Sequence, residues 1–98
     1  MKIWLDDDDT RVMPEGYTKV HSVNEAKLLI LKCILTDEPI EELNLDNDLG
    51  DYAKDGGDGH ALLDWLVETK RFYPVKLHTM NPVERQFMAT TIARHWPK

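Results

Sequence analysis

The 98-residue sequence has a single cysteine, Cys33, so an internal disulfide is excluded and a reducing compartment is expected. No apolar run approaches the roughly 20 residues needed to cross a bilayer, which argues against a membrane span. The N-terminus lacks the basic-then-apolar layout of a secretory signal. A cytoplasmic location is the expectation. Cys33 lies among Leu31, Ile34 and Leu35, the setting of a core thiol. Positive charge is also scarce, with twelve Lys and Arg against eighteen Asp and Glu and a net charge of −6. That balance argues against a DNA-binding surface made of one broad basic patch.

The acidity is local. Asp6, Asp7, Asp8 and Asp9, with Asp46, Asp48, Asp51, Asp55 and Asp58, supply nine of the eighteen acids, and without them the chain would carry +3. The rest of the composition, 42% hydrophobic and 31% charged, is that of one globular domain spanning residues 1–98.

Apolar patterning divides the chain into alternating elements. Lys2 to Leu5 reads as a strand stopped by aspartates. Residues 10 to 21 read as a connection with an extended stretch at Tyr17 to Val20. Ser22-Val23-Asn24-Glu25 fits a capping box, and Ala26, Leu29, Ile30, Cys33 and Ile34 recur at helical spacing to about Leu35. Glu41 to Asp46 is a second strand, again closing in aspartate. Residues 47 to 59, with four glycines, read as a loop of which little can pack. A helix from His60 to Lys70 follows, then a third strand from Val75 to His78. Asn81 as cap, Pro82 at the first helical position and Glu84 three after the cap open a last helix to Trp96. Trp4, Trp65 and Trp96 belong to core or rim packing.

Three strand–helix units in alternation predict an α/β fold: a small three-layer open parallel sheet with helices on both faces, of truncated flavodoxin-like form. In such a sheet every strand-to-helix loop emerges at the carboxyl edge, where ligands bind. The loops beginning Asp6-Asp7-Asp8-Asp9, Asp46-Asn47-Asp48 and His78-Thr79-Met80-Asn81 therefore share one edge. Carboxylates gathered there repel, and a divalent cation removes the penalty. Oxygen ligands without cysteine favour Mg2+ or Mn2+ over structural zinc, with Asp6, Asp7, Asp8 and Asp46 as candidate ligands. Asp46 and Asp48 have the spacing of a strand-end nucleophile and a proton-transfer partner, and His78 is a second acid/base candidate. Thr79, Asn81 and His60 are candidates for holding a phosphate-containing substrate.

At these residues the chain resembles a receiver domain of two-component signalling. IWLDDD, LNLDND, GGDGHALLDWL and KLHTMN carry the resemblance. It implies Asp6 and Asp7 as a metal pair, Asp46 at the phosphoacceptor position and Thr79 as the phosphate-contacting hydroxyl. The chain has fewer strand–helix units than a full receiver and no final strand with the receiver's lysine. It is more similar to a short receiver-like family of bacteria and phages named for cyclic-phosphate processing. The pattern D-D-D, L-D-x-D-L-G, G-D-G and H-[ST]-x-N-P matches Asp6 to Asp8, Leu45 to Gly50, Gly57 to Gly59 and His78 to Pro82.

That resemblance implies a metal-dependent phosphoesterase acting on a nucleotide or RNA end with a cyclic phosphate. The alternative from a different class is a non-catalytic, degenerate receiver that binds a protein partner, including a host factor met through the acidic edge.

Overall fold

The computed structural model describes residues 1–98. Its sheet has four parallel strands, β1 (Lys2–Leu5), β2 (Tyr17–Val20), β3 (Glu42–Leu45) and β4 (Val75–Leu77), in the order β2-β1-β3-β4. Three helices follow the later strands: α1 (Val23–Leu35), α2 (Gly59–Thr69) and α3 (Pro82–His95). The α/β receiver-like class is the one expected, with one strand more. Tyr17–Val20 is a full partner of β1, pairing Lys2 with Tyr17 through Leu5 with Val20. The first connection, residues 6–16, therefore returns to the sheet without a helix, and α1 follows β2. No helix is long and apolar enough to cross a membrane.

Local chemistry sets the element ends. The Ser22 hydroxyl oxygen accepts from the Glu25 amide at 3.1 Å, as the capping box predicts. The Glu25 carboxylate, however, takes the His21 amide at 2.8 Å rather than that of Ser22. The Asn81 side-chain oxygen accepts from the Val83 and Glu84 amides and opens α3 as expected. The 47–59 segment packs better than its glycines suggest. It forms a 3-10 turn at Gly50–Lys54, and Leu49 is wholly buried.

Side chains alternate across a strand, so each strand offers two faces. Ile3, Leu5, Val20, Leu43 and Leu45 from one face join Val23, Ala26 and Ile30 of α1, Leu62, Leu63 and Leu66 of α2, and Met88 of α3 in one core. Cys33 is buried on α1, as expected of a core thiol. All three helices thus gather against a single sheet face, whereas a helical layer on each was expected. The reason lies in the crossovers. Both helical connections step the same way across the sheet, from β2 to β3 and from β3 to β4, and right-handed crossovers in one direction fall on one side. Only the helix-free 6–16 connection steps the other way. The second face carries Lys2, Trp4, Tyr17, Lys19, Glu42, Asn44 and Lys76, and no helix covers it.

Candidate functional site

The strand ladders continue one residue past the strand ends. The Asp6 amide donates to Val20 O at 3.1 Å, the Asp46 amide to Leu5 O at 3.0 Å, and the His78 amide to Leu45 O at 3.0 Å. Asp6, Asp46 and His78 are thereby set in one row at the carboxyl edge. Leu5, Leu45 and Leu77 before them point into the core, so alternation turns this row toward the second face. The order reverses between β1 and β3, which places Asp6 and Asp46 at the switch point of the sheet.

One ligand atom from each of Asp6, Asp46 and His78 lies within 4.8 Å of the other two. Asp6 is wholly buried. Its Oδ1 accepts from the Asp8 amide at 2.9 Å, while Oδ2 lies 3.1 Å from His78 Nε2. Asp46 Oδ1 accepts from the Asn47 amide at 2.8 Å. The indole of Trp4 lies flat on the His78 ring, with centroids 3.9 Å apart. Arg11 completes the cluster, its Nη1 standing 3.3 Å from both Asp6 Oδ2 and Asp46 Oδ2.

The electrostatics follow from this crowding. Burial, with the neighbouring charges of Asp6 and Asp7, pushes the Asp46 carboxyl up to about 6, against the opposing pull of the Asn47 amide and Arg11. Burial likewise raises Asp7, helped by Asp6, Asp48 and Asp8. Burial lowers His78 despite the attraction of Asp6. Burial thus disfavours charge here on the carboxylates and on the imidazole alike.

Beside this row opens a crevice of about 400 Å³ lined by Asp7, Asp8, Arg11, Asp46, Asp48, Thr79 and Asn81, among others. Asp46 belongs to both the row and the crevice. Gly50, at φ +54, forms part of the wall, and a Cβ there would lie 2.8 Å from Asp7 Oδ2. Gly59 is more constrained, since a Cβ on it would stand 1.9 Å from the Asp46 carbonyl oxygen. The G-D-G before α2 thus lets that helix start against the backbone of Asp46.

Most candidates from the sequence converge here, though in unequal positions. Asp6 and Asp46 meet in the row, and His78 stands among the possible ligands as well as the proton carriers. Asp7 and Asp8 line the crevice instead of the row. Asp8 Oδ1 is occupied by the Thr10 amide at 2.8 Å and hydroxyl at 2.6 Å, which hold it well below the usual carboxylate range. Asp48 is exposed, with Oδ1 accepting from the Gly50 amide at 3.0 Å. Thr79 is buried in the wall, and Asn81 combines its capping with a place on the rim. His60 is not brought to the crevice. Its ring is held between α2 and α3, with Nε2 2.9 Å from Thr91 Oγ1 and its face against Phe87.

Outside the site, Asp9 pairs with Lys19 and His21, and Asp55 accepts from Ser22 and Asn24. Arg11 and Asn44, whose Oδ1 lies 2.7 Å from His78 Nδ1, were not foreseen. The alternation of Glu42 and Asn44 with Leu43 and Leu45 was the signal for Asn44, because it puts polar groups on the face opposite the core. Nothing in the loop pattern singles out Arg11.

Comparison with known families matches residues 1–94 to the model described as the cyclic-phosphate processing receiver domain. No curated protein and no solved structure matches the chain.

Proposed function

The chain belongs to the cyclic-phosphate processing receiver family, and from that membership we propose that it is a divalent-metal-dependent phosphoesterase acting on the cyclic phosphate of a nucleotide or RNA end. One observation carries the reading: Asp6, Asp46 and His78 present their ligand atoms within 4.8 Å of one another, and Asp46 also lines the crevice.

The donor set suits a cation. Two carboxylates and an imidazole, pressed together where burial disfavours the charge on Asp46, are relieved by a divalent ion. Carboxylates suit Mg2+, and an imidazole among them shifts the preference toward Mn2+. Asp6, Asp46 and His78 would hold it. When bound, the ion would withdraw charge from a phosphoryl oxygen. Asp7 and Asp8, the other two candidate ligands from the sequence, line the crevice beside Asp46.

The remaining roles belong to the chain's own groups. The Thr79 hydroxyl and the Asn81 amide orient phosphate oxygens, and Arg11 adds a guanidinium able to grip a phosphate with two parallel hydrogen bonds. Asp48 keeps Oδ2 free of the Gly50 amide and takes the proton of the attacking water. His60 has no part in binding, because its ring is engaged between helices.

The test is incubation of the protein with a 2′,3′-cyclic phosphate RNA and Mn2+ or Mg2+. Ring opening that depends on the metal and on Asp46 is expected. Turnover that survives chelation, or is unchanged in Asp46→Ala, contradicts the proposal.

A second reading draws on the apolar surface of α3, where Val83 and Phe87 are 78% and 62% exposed beside an exposed Met80. Such a strip suits a non-catalytic receiver that docks a protein partner. Acetyl phosphate separates the two readings, since a stable aspartyl phosphate on Asp46 favours the signalling module.

A further inference from the structure

The sheet has two free edges, and they are not alike. β4 stands last in the order β2-β1-β3-β4 and pairs only with β3. Backbone groups turn alternately to either side of a strand. Pro74 O accepts from the Leu43 amide and the His78 amide donates to Leu45 O, so the even-numbered positions serve β3. The N–H and C=O of Val75 and of Leu77 therefore face outward, and no turn or loop supplies them a partner.

Between this edge and α3 runs a groove of about 510 Å³, lined by Val75, Leu77, Ala89, Ile92 and Ala93. Ala89 and Ala93 are small and exposed, which leaves room over that part of α3. The charged lining is Lys76 and Arg85, with no carboxylate among the groove residues. No such groove opens along β2.

A strand added to β4 satisfies the free backbone groups by main-chain bonds and sends its side chains alternately to the two faces. Those on the helix side fall over Ala89, Ile92 and Ala93, where apolar groups fit. Those between them flank Lys76. Its Nζ meets Glu42 at 3.1 Å, yet the side chain is 68% exposed and the ammonium has further hydrogens to donate. Arg85 is exposed as well. Both charges favour acids on the incoming segment. They also argue against a second copy of this chain, because pairing centred on Lys76 sets two ammonium groups opposite each other.

We propose that the groove between β4 and α3 is a docking site for an extended protein segment that alternates apolar and acidic residues and joins the sheet as a fifth strand. The groove shares no lining residue with the crevice or with the Val83 and Phe87 strip, so the proposal stands apart from both readings above.

The test is NMR titration of the 15N-labelled chain with a short peptide alternating Val and Glu, the same peptide with Lys for Glu, and a short oligouridylate. N-methyl groups on alternate residues leave each peptide one pairing edge and prevent self-assembly. The acidic peptide should shift the Val75 and Leu77 amides and bind roughly 10-fold tighter than the basic one. Methylation of every amide should abolish binding. Lys76→Gln combined with Arg85→Gln should bring the two peptides to equal affinity, and Ala89→Trp should block the groove.

No binding of the acidic peptide overturns the proposal, as do shifts confined to β2 or to the Val83 and Phe87 strip. Equal affinity of the wild type for both peptides also overturns it. So does oligouridylate taking the groove in preference, or dimerisation of the chain with the same amides shifted. If loss of Lys76 beside Glu42 disturbs the strand, Arg85→Gln alone and Ala89→Trp decide.

Discussion

A single nitrogen of Arg11 bridges two acids that are forty residues apart, standing 3.3 Å from Asp6 Oδ2 and 3.3 Å from Asp46 Oδ2. The loop that carries it links two strands without a helix, so the guanidinium can reach back over the edge its own loop leaves. Removing one partner of a buried charge cluster leaves the others uncompensated. Arg11→Gln should therefore cost about 1–2 kcal/mol, which lowers the metal-free melting midpoint by roughly 5–15 °C. Calorimetry with and without Mn2+ checks this, and the stabilisation by metal should be larger in the variant than in the wild type.

The position of Asp46 sets a pH dependence with a definite sign. Its carboxyl titrates near about 6 in the folded chain, above its ordinary value of 3.8. A group raised on folding favours the fold while protonated. Its contribution is full below the ordinary value and is lost as pH rises toward about 6. Asp8, Asp9 and Asp55 are lowered and act in the opposite sense, favouring the fold above their ordinary value. Asp46→Asn should remove the loss between those limits and raise neutral-pH stability by on the order of 1–3 kcal/mol. Urea midpoints measured across that range would show it.

Cation binding should separate the row from the rest of the acidity. At one hundred times its Kd, Mn2+ should stabilise the wild type by about 2.7 kcal/mol, or roughly 10–20 °C in melting midpoint. Asp6→Asn, Asp46→Asn and His78→Gln should each abolish that shift. Asp9→Asn should leave it intact, because Asp9 is tied to Lys19 and His21. Asp46→Asn is thus expected to stabilise the metal-free protein while erasing the effect of metal. A general loss of fold cannot produce that pair of signs.

Gly59 should tolerate no side chain. A methyl group 1.9 Å from the Asp46 carbonyl oxygen must push α2 away from the strand end. Gly59→Ala should cost at least about 3 kcal/mol, at the upper end of overpacking effects, and weaken Mn2+ binding through displaced Asp46. Denaturant midpoints and metal titrations on the same variant test both parts.

How much of this was legible in the sequence depended on periodicity. The apolar runs at Lys2–Leu5 and Glu42–Leu45, closing in aspartate, gave the parallel edge and the meeting of Asp6 with Asp46. Tyr17–Val20 has only Val20 in the core and Thr18 exposed, so an edge strand of four residues left little pattern to read. The placement of the helices depended on strand order, which local patterning does not encode. His60 follows the same G-D-G that brings α2 against the Asp46 backbone, but its ring is held at α3. Arg11 and Asn44 act through long-range contacts, over 35 and 34 residues, which no local pattern reports.

The helix-free face gives the molecule a division of labour. Along β1 and β3 successive residues face opposite ways: Leu5, Leu43 and Leu45 look into the apolar core, while Trp4, Asn44 and, just past β3, Asp46 look toward the side of the candidate site. The two sets share a backbone but face opposite ways. Substitutions on the helix-free side therefore open no cavities among the helices, and their effects should combine almost independently with those of core changes. A sheet only four strands wide in this way keeps the residues that hold the helices apart from the buried polar groups beside Asp6 and His78.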